Sequence, residues 1–560
     1  MDYMEKYSIW LNSPVIDEQT AGELRSIADN PAEIEDRFHK DLEFGTGGLR
    51  GIMGAGTNRM NVYTVRKATL GLANYILANE PRGCEMGAVI AFDSRHNSGC
   101  FALEAALTLV AAGIKVYLFD GLRPTPVLSF AVRHLGCAAG IVVTASHNPP
   151  DYNGYKAYWS DGCQIPYPRD EEVIGFVNAI ADLGQLVVAD KAKAVADGML
   201  VYLDGAVDEA YQKQVLALSL NRDAIFEAGL KILYTPLHGA GLAHSKAVLA
   251  AAGFENVHVV PSQEQPDPNF TTIAYPNPED PKAFAKALEL AHDLSADIIV
   301  ANDPDADRVG VMVKHGGEYV LLAGNQTGTL LAQYLLSGRK ANGTLPPNPG
   351  IISTIVSTNM TREIAAAYGA EYAEVLTGFK FIGEQIEKWE NSGKAEYVFG
   401  FEESIGFLPG PYARDKDAIA SSMLICEVAA VYKIQGKTLI DAIGELYKKY
   451  GWHKEHTVNI VKPGLDGAAQ IRAIMADKRN NPPKSVNNIA VSKIRDYQNG
   501  YEGLPPSDVL YYELADGSWL CIRPSGTEPK IKIYCGILGK DEADAKAKIA
   551  GLADAIENMV

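Results

Sequence analysis

The 560-residue sequence lacks several motifs that would place it in common classes of protein. It contains no G-x-x-x-x-G-K-[ST] motif, which argues against a P-loop nucleotide enzyme. It has no G-x-S-x-G motif, so the nucleophile elbow of the α/β-hydrolases is not supported. It also has no C-x-x-C pair, and its seven cysteines are scattered and odd in number. Reduced thiols are therefore favoured over a disulfide framework or a structural zinc site.

Positive charge and long apolar runs are also scarce. There are 51 Lys and Arg residues against 69 acidic ones, which gives a net charge of −18 and argues against nucleic acid as the main partner. The most apolar long window, residues 102–119, contains Glu104 and Lys115, so it is not a membrane span. The first ten residues, MDYMEKYSIW, lack the basic stretch and apolar core of a signal peptide. We therefore expect a cytoplasmic protein without a membrane partner, and the sequence leaves its oligomeric state open.

The chain does contain a threefold internal pattern. Segments that begin at Ala88, Lys231 and Gly350 repeat one order of features: an apolar strand, a helix, a short strand with a loop, and a third strand that ends in a polar loop. Continuous apolar strands that alternate with helices predict mainly parallel sheets covered on both faces. Ligands of such sheets bind beyond the carboxyl ends of the strands. The three polar loops are therefore expected to meet at one shared site.

The length predicts three or four domains, at roughly 150 residues per domain. We predict an α/β protein with four domains around a central cleft: three similar α/β domains with mainly parallel sheets, and a smaller C-terminal α+β domain. The expected domains span residues 1–200, 201–325, 326–450 and 451–560. The charged, helix-prone first forty residues are expected to cap the first domain.

The first polar loop, TASHNPP at residues 144–150, combines a hydroxyl with nearby bases. Its two prolines stop a helix, so Ser146 is expected to lie exposed on a stiff loop. A serine hydroxyl needs a base, a cation or a metal nearby to act as a nucleophile, and His147 and Lys156 are the local candidates. An ordinary turn is the alternative interpretation.

The second polar loop, DPDADR, places Asp303, Asp305 and Asp307 at alternate positions after a strand. Oxygen-only ligands suit Mg²⁺ or Ca²⁺ rather than zinc. A solvated acidic turn is the alternative, but three carboxylates so close repel one another unless a cation neutralises them. An EF-hand is not supported, because Arg308 stands where its sixth position needs Gly and Lys314 where its twelfth needs Glu.

The third polar loop, GFEESIG at residues 400–406, follows TGFK at residues 377–380 along the chain. The carboxylate of Glu402 and the hydroxyl of Ser404 suit sugar hydroxyls, which both donate and accept hydrogen bonds. The later string RDKD, residues 414–417, is predicted to be a charged surface turn, with the same cleft as the alternative location.

Two further loops suit an anion. RPSGTEPK, residues 523–530, combines a guanidinium, two hydroxyls and a glycine-loosened backbone, which together favour a phosphate cradle over a tight hairpin. The Gly-rich run GTGGLRG, residues 45–51, is either a flexible loop or a means of bringing Arg50 to an anion.

The strings TASHNP, DPDADR, GFEES and RPSGTEPK, in this order, resemble the α-D-phosphohexomutase superfamily. The resemblance extends from about Glu43 to the C-terminus. The details TGFKFIG and GFEESIG resemble its phosphoglucomutase subgroup, which includes phosphopentomutase-like and glucose-1,6-bisphosphate-synthase-like members. The GEMSGH-like sugar loop usual in the phosphomannomutase type is absent, which speaks against a preference for mannose.

The resemblance implies a role for each matching residue. Ser146 is the implied phosphoryl carrier, and it and the three aspartates of the second loop are the implied Mg²⁺ ligands. The residues implied in charge neutralisation or proton transfer are Arg50, His147, Lys156 and Lys380, and the general base is left open among the last three. The residues implied in substrate binding are Arg308, Thr377, Gly378, Glu402, Ser404, Arg523, Ser525, Gly526 and Thr527.

The resemblance also implies a reaction. The expected enzyme is an intramolecular phosphotransferase that interconverts glucose 1-phosphate and glucose 6-phosphate through a phosphoserine and glucose 1,6-bisphosphate. The bisphosphate is the expected activator, and sugar monophosphates are the expected partners. The alternatives are phosphomannomutase or phosphopentomutase activity, a glucose-1,6-bisphosphate synthase, and a non-catalytic cation-binding module.

Overall fold

The computed structural model describes residues 2–43, 48–462, 467–524 and 530–557. The described chain forms four sheets, one after another, of six, five, four and six strands. In each of the first three, parallel pairs extend from one edge into the middle of the sheet and antiparallel strands form the other edge, whereas every pair in the fourth is antiparallel. The predicted fold class, three α/β units followed by an α+β unit, is confirmed.

The first unit has the strand order β1-β5-β4-β2-β3-β6. Helices α1 to α3 pack on it as the expected cap, and Trp10 contacts both Phe38 of the cap and Tyr63 of α4. Strand β5, which the sequence patterns did not indicate, runs antiparallel to β4 and carries Lys156 back towards the serine loop. The elements are α1 (Tyr3–Asn12), α2 (Glu18–Ser26), α3 (Pro31–Phe38), β1 (Gly48–Ile52), α4 (Val62–Asn79), α5 (Gly83–Met86), β2 (Ala88–Phe92), α6 (Ser98–Ala111), β3 (Val116–Phe119), α7 (Thr125–Leu135), β4 (Ala139–Val143), β5 (Tyr152–Trp159), α8 (Arg169–Asn178), α9 (Lys191–Ala196) and β6 (Leu200–Leu203).

The second unit has the strand order β11-β10-β9-β7-β8. Its central strand β9 is buried along its whole length and ends at the aspartate loop. The elements are α10 (Ala206–Leu216), α11 (Arg222–Ala228), β7 (Lys231–Thr235), α12 (Leu242–Ala252), β8 (Asn256–Val259), α13 (Pro261–Glu264), α14 (Ala285–Leu294), β9 (Ile298–Asn302), β10 (Val309–His315) and β11 (Glu318–Leu321).

The third unit has the strand order β13-β12-β14-β15. Strand β14 is apolar and buried, and it ends at Glu402. Helix α18 is buried along nearly its whole length, because it packs against elements of both the second and third units. The elements are α15 (Gly324–Ala341), β12 (Pro349–Thr354), α16 (Met360–Ala367), β13 (Glu371–Val375), α17 (Phe379–Ser392), β14 (Glu396–Glu402), β15 (Gly406–Leu408), α18 (Ala418–Lys433) and α19 (Leu439–Tyr450).

The fourth unit is an antiparallel sheet of order β16-β21-β20-β19-β18-β17, with helices α20 and α21. The sequence patterns indicated four of its strands and the last helix. They did not indicate helix α20 or strands β17 and β18. The elements are β16 (Trp452–Val461), α20 (Gly467–Asn480), β17 (Ser485–Val486), β18 (Ile489–Asp496), β19 (Leu510–Leu514), β20 (Trp519–Pro524), β21 (Lys530–Gly539) and α21 (Glu542–Glu557).

Backbone hydrogen bonds join the polar loops of the first three units. The Thr125 N–H donates to the Asp305 carbonyl at 2.9 Å, and the Ala418 N–H donates to the Ala306 carbonyl at 3.2 Å. The Val309 N–H donates to the Ile405 carbonyl at 3.1 Å. These contacts hold the ends of three sheets at one place. None of the described helices combines the length and apolar character that crossing a membrane requires.

Candidate active site

The serine loop holds Ser146 in the left-handed region of backbone space, with a φ of 52°. A residue other than glycine pays about 1–3 kcal/mol for such a conformation, so its surroundings must fix it. The Ser146 N–H donates to Thr144 Oγ1 at 2.8 Å, and its carbonyl accepts a bond from Arg95 Nη2 at 2.6 Å. The expected exposed position of Ser146 was wrong: the side chain is buried, because the aspartate loop of the second unit covers it.

The Ser146 hydroxyl has two polar neighbours. It donates to Asp303 Oδ2 at 2.9 Å, and its oxygen lies 3.1 Å from His147 Nδ1. Burial lowers the pKa of His147 well below its usual value, and the guanidinium groups of Arg308 and Arg50 lower it further. These effects favour the uncharged form of the imidazole.

The three aspartates of the second loop lie together as the sequence predicted. Asp303, Asp305 and Asp307 are buried, and one carboxylate oxygen from each lies within 4.8 Å of the other two. Within the described part of the chain, Asp305 Oδ1 and Asp307 Oδ1 are buried without a hydrogen-bond partner. Buried carboxylate oxygens without partners, converging at one point, fit a hard divalent cation.

Ammonium groups from two units neutralise part of this charge. Lys156 Nζ lies 2.7 Å from Asp305 Oδ2 and 3.1 Å from Asp307 Oδ2, and Lys416 Nζ lies 3.4 Å from the same Asp307 oxygen. Burial, together with Asp305 and Asp307, raises the pKa of Asp303 well above its usual value. Burial acts in the same direction on Asp307, but Lys156 and Lys416 outweigh it and lower the pKa of that carboxyl.

The prediction of a charged surface turn at residues 414–417 was wrong. Arg414, Asp415, Lys416 and Asp417 are all buried. Some of their partners come from other units: Tyr158 of the first unit donates to Asp415 Oδ2 at 2.6 Å, and Lys416 pairs with the aspartate loop of the second. A charged string can be buried here because its side chains have polar partners, some within the third unit, such as Glu390 for Arg414, and some from other units.

The candidate sugar-binding residues of the third unit lie on two loops that contact each other. The Gly378 N–H donates to Glu402 Oε1 at 2.8 Å, so one carboxylate oxygen aligns both loops. Gly378 has a φ of 125°, a conformation that favours glycine. Thr377 and Ser404, on the same loops, are half-buried. Lys380 is buried, and its ammonium pairs with Asp170 of the first unit at 3.0 Å.

Two arginines lie at the rim of the serine loop. Arg50 is exposed and donates to Asn148 Oδ1 at 3.2 Å. Arg308 is half-buried, and it lies 3.7 Å from Glu279 Oε2 and 3.9 Å from Asp307 Oδ1. Both cations are positioned to meet an anionic ligand near Ser146.

Arg523 lies near the end of β20, directly opposite Lys532 on β21. The two cations therefore share one face of the fourth sheet, and both are half-buried. The other predicted residues of the phosphate cradle, Ser525, Gly526 and Thr527, lie outside the described residues.

Sequence reasoning missed Arg95 and the role of Lys416. Arg95 follows strand β2 in the string DSRHNSG, and its position at the carboxyl end of a strand is the signal that could have indicated it. Lys416 carried no such signal, because its burial depends on contacts among three units.

Comparison with protein families finds four matches along the chain. The domains described as "Phosphoglucomutase/phosphomannomutase, alpha/beta/alpha domain" I, II and III match residues 41–183, 209–317 and 323–450. The "Phosphoglucomutase/phosphomannomutase, C-terminal domain" matches residues 463–559.

Curated relatives and solved structures agree with these matches. A phosphoglucomutase of Staphylococcus aureus (strain bovine RF122 / ET3-1) is 37% identical, over 92% of this chain and 93% of that protein. A phosphoglucomutase of Staphylococcus haemolyticus is 36% identical, over 90% and 91%. The crystal structure of a putative phosphomannomutase from Thermus thermophilus shares the fold, with a TM-score of 0.69 and 24% identity over 93% of this chain and 99% of that one. The open form of a Paramecium phosphoglucomutase has a TM-score of 0.69 at 17% identity, over 92% and 95%.

Proposed function

We propose that this chain, which belongs to the phosphoglucomutase/phosphomannomutase family, interconverts glucose 1-phosphate and glucose 6-phosphate. Its relatives at 36–37% identity over most of their length carry the name phosphoglucomutase. The chain is thus a phosphohexomutase, an enzyme of the isomerase class. The observation that carries the proposal is the Ser146 hydroxyl, buried against the three aspartates and His147.

In the first half-reaction, Ser146 begins as a phosphoserine. A free hydroxyl of the sugar monophosphate attacks the phosphorus, the bond from phosphorus to Ser146 Oγ breaks, and a sugar bisphosphate forms. The hydroxyl proton passes to a base near the serine loop. The proposed base is His147, because its Nδ1 lies 3.1 Å from Oγ. The ammonium groups of Lys156 and Lys380 are instead held in ion pairs with aspartates.

In the second half-reaction, the bisphosphate has turned end for end and Ser146 becomes the nucleophile. Its hydroxyl passes a proton to the base, and Oγ bonds to the other phosphorus as the bond from that phosphorus to the sugar oxygen breaks. The sugar oxygen takes up a proton from the base, and the isomeric monophosphate leaves. Lys156, Lys416 and Arg308 surround the position of transfer with positive charge, which stabilises the charge of the transferring oxygens. No nucleotide is consumed.

The proposed cofactor is Mg²⁺, held by Asp303, Asp305, Asp307 and an oxygen on Ser146. The buried carboxylate oxygens of Asp305 and Asp307 that lack hydrogen-bond partners fit this cation. When bound, Mg²⁺ supplies positive charge beside the transferring phosphoryl group. Glucose 1,6-bisphosphate is the proposed activator, because it phosphorylates any enzyme molecule that has lost its phosphate.

The remaining proposed roles concern the orientation of the sugar phosphate. Glu402 and Ser404 bind sugar hydroxyls, with Thr377 and Gly378 on the neighbouring loop. The phosphate that does not react binds Arg523 and the residues that follow it, Ser525, Gly526 and Thr527. Arg50 adds positive charge at the rim of the cleft, and the buried Lys380, paired with Asp170, joins the third unit to the first. A cytoplasmic location without nucleic-acid or membrane partners remains part of the proposal.

The experiment is a coupled assay with glucose 1-phosphate, a trace of glucose 1,6-bisphosphate and Mg²⁺, in which the glucose 6-phosphate formed is measured. The 1-phosphates of mannose, ribose and deoxyribose are run in parallel. A mutase turns over under these conditions, whereas a bisphosphate synthase needs a second phosphoryl donor. Ser146→Ala should lose essentially all turnover, and Ser518→Ala, which changes a buried serine of the fourth unit, should keep it. Equal activity of the two variants would refute the role of Ser146.

A further inference from the structure

We propose that Arg95 is a positioning residue, whose buried guanidinium fixes the backbone of the serine loop so that Ser146 is held for phosphoryl transfer. The effect on catalysis rests on the proposed function, whereas the effect on the serine loop rests on the hydrogen bonds that Arg95 donates to it. Arg95 is 3% exposed and, unlike the residues of the polar loops, it is directed at main-chain atoms.

The guanidinium of Arg95 donates to four carbonyls, three in the serine loop and one at the start of β5. Nη1 lies 2.8 Å from the Pro149 carbonyl oxygen and 3.1 Å from that of Tyr152. Nη2 lies 2.6 Å from the carbonyl oxygen of Ser146 and 2.5 Å from that of Asn148. A planar fork with several fixed donors is the side chain that can satisfy four converging acceptors at once.

The same network reaches the other side of the Ser146 backbone. The Ser146 N–H donates to Thr144 Oγ1, and Thr144 Oγ1 donates to Asp93 Oδ2 at 2.7 Å. Asp93 also accepts the backbone N–H of Arg95 at 3.0 Å and lies 3.2 Å from its Nε. The N–H of Ser146 is therefore connected to Asp93 through Thr144, and its carbonyl is bonded directly to Arg95.

A ring of the second unit completes the arrangement. The Arg95 guanidinium carbon lies 4.9 Å from the centre of the Phe270 ring, and Phe270 is 1% exposed. The loop that carries Phe270 is itself fixed, because Asp267 accepts the N–H groups of Asn269 and Thr271. The stack thus joins the serine loop to the unit that supplies the three aspartates, at the boundary across which phosphoryl transfer is proposed.

The consequence is a specific kinetic signature. Without the four hydrogen bonds, Ser146 is free to leave the left-handed conformation, and Oγ loses its place beside Asp303 and His147. The sugar phosphate is bound by other units, so its KM should change little while kcat falls. Loss of folded enzyme would also lower the apparent kcat at constant KM, so kcat is expressed per folded molecule, and exchange at the serine-loop amides is compared with exchange at amides elsewhere in the first unit.

The test compares Arg95→Lys, Arg95→Met and Phe270→Leu with the wild type and with a matched control, Arg66→Met. Arg66 lies in the same unit, where it pairs with Glu104 at 2.7 Å and stacks 5.5 Å from the Tyr63 ring, and both of these partners lie outside the serine loop. The measurements are kcat and KM with glucose 1-phosphate, and hydrogen exchange of the amides of Ser146, His147 and Asn148. The exchange measurement does not depend on catalysis.

We expect Arg95→Lys and Arg95→Met to lower kcat about tenfold or more with KM within about twofold, and to speed exchange at the three amides by a similar factor. Phe270→Leu should also lower kcat and speed exchange at the three amides, but by a smaller factor. Arg66→Met should change neither kcat nor the exchange rates. If Arg95→Met does not fold, the lysine and Phe270 variants decide. Unchanged exchange at the three amides in Arg95→Lys, or the same kcat loss in Arg66→Met, would overturn the inference. A wild type without mutase activity would overturn the proposed function instead, and the exchange data would still test the role of Arg95.

Discussion

Lys416 Nζ, in the third unit, lies 3.4 Å from Asp307 Oδ2, in the second. Lys156 Nζ, from the first unit, lies 3.1 Å from the same oxygen. Lys416 also pairs with Asp415 at 3.0 Å, and all four side chains are buried. The Asp307 carboxylate oxygen therefore joins three units at the candidate site. Its negative charge is balanced only while the first and third units stay packed against the second.

Lys416→Met should damage both stability and catalysis. Removing one partner of a buried ion pair leaves an uncompensated charge, which costs on the order of 3 kcal/mol. Turnover should fall at least about tenfold, because a cation beside the position of transfer is lost. The control is Lys433→Met, whose partly exposed pair with Asp297 should cost less than about 1 kcal/mol. Thermal unfolding and kcat of both variants check the prediction, and equal behaviour of the two would contradict it.

Neutralising Asp303 and neutralising Asp307 should change the stability of the metal-free protein in opposite directions. Asp303→Asn should stabilise it, because burial and the two neighbouring carboxylates already oppose the charge of Asp303. An asparagine oxygen can still accept the N–H groups of Asp307 and Arg308. Asp307→Asn should destabilise it, because Lys156 and Lys416 lose their shared partner. Thermal unfolding in EDTA is the measurement, and shifts of the same sign would show that the charge balance is assigned wrongly.

Chelation of metal should abolish turnover while the fold persists. Among the residues that the structure describes, none forms a hydrogen bond with Asp305 Oδ1 or Asp307 Oδ1 that could compensate for the loss of a cation, so the apo site cannot reproduce its charge. The assay is run after exhaustive dialysis against EDTA and again after addition of Mg²⁺ or Ca²⁺. Recovery with Mg²⁺ is expected, and undiminished activity of the dialysed enzyme would exclude a catalytic metal.

Glu455 should make stability depend on pH. Burial raises its pKa to about 7, and its carboxylate accepts a bond from Asn325 Nδ2 at 3.3 Å, between the fourth and third units. Between the unfolded pKa, about 4.3, and the folded value, the folded protein holds a proton that the unfolded chain releases. Stability present below the unfolded pKa is therefore lost as pH rises through about 7.

Glu455→Gln should remove that loss. The variant should be as stable as the wild type near pH 4 and more stable at pH 8, by on the order of 1–2 kcal/mol for a partly buried group. Urea unfolding at both pH values measures the difference, and Glu363→Gln, at an exposed position of the third unit, is the control. A difference independent of pH would refute the assignment.

The loops that carry chemistry were predictable because each follows an apolar strand. Strands β4, β9 and β14 are apolar in sequence and almost entirely buried in the structure. Parallel strands bring their carboxyl ends to one edge of a sheet. The strings at those ends were therefore expected to meet, and Ser146, Asp303 and Glu402 do lie at these ends. Local sequence was sufficient here because strand direction alone decides where the loops lie.

Burial of polar side chains was not predictable in the same way. Lys416 and Asp415 belong to a charged string that favours solvent, and they are buried because Tyr158 and Asp307 come from other units. Ser146 was expected to be exposed for the same reason, since nothing near it in sequence shows what covers it. Contacts between units depend on the packing of whole sheets, which no pattern within one unit encodes.

The last prediction concerns Arg523, opposite Lys532 on the face of the fourth sheet. Burial lowers the pKa of Lys532 and the neighbouring Lys530 adds to this, while the carboxylates of Glu403 and Glu279 act in the opposite direction. Such a face suits a phosphate that is held rather than transferred. Arg523→Ala should lose a charge-assisted two-point contact of about 1.5–3 kcal/mol, or roughly ten- to hundredfold in kcat/KM.

Arg523→Lys should recover part of that loss, because an ammonium keeps the charge but not the planar fork. The affinity for Mg²⁺ should barely change in either variant, since the aspartates belong to another unit, and metal titration of each variant provides this control. Steady-state kinetics with glucose 1-phosphate decide the question. If Arg523→Ala keeps kcat/KM within about twofold of the wild type, the strand end is a hairpin without a phosphate, and the phosphate that does not react must be held by the other units.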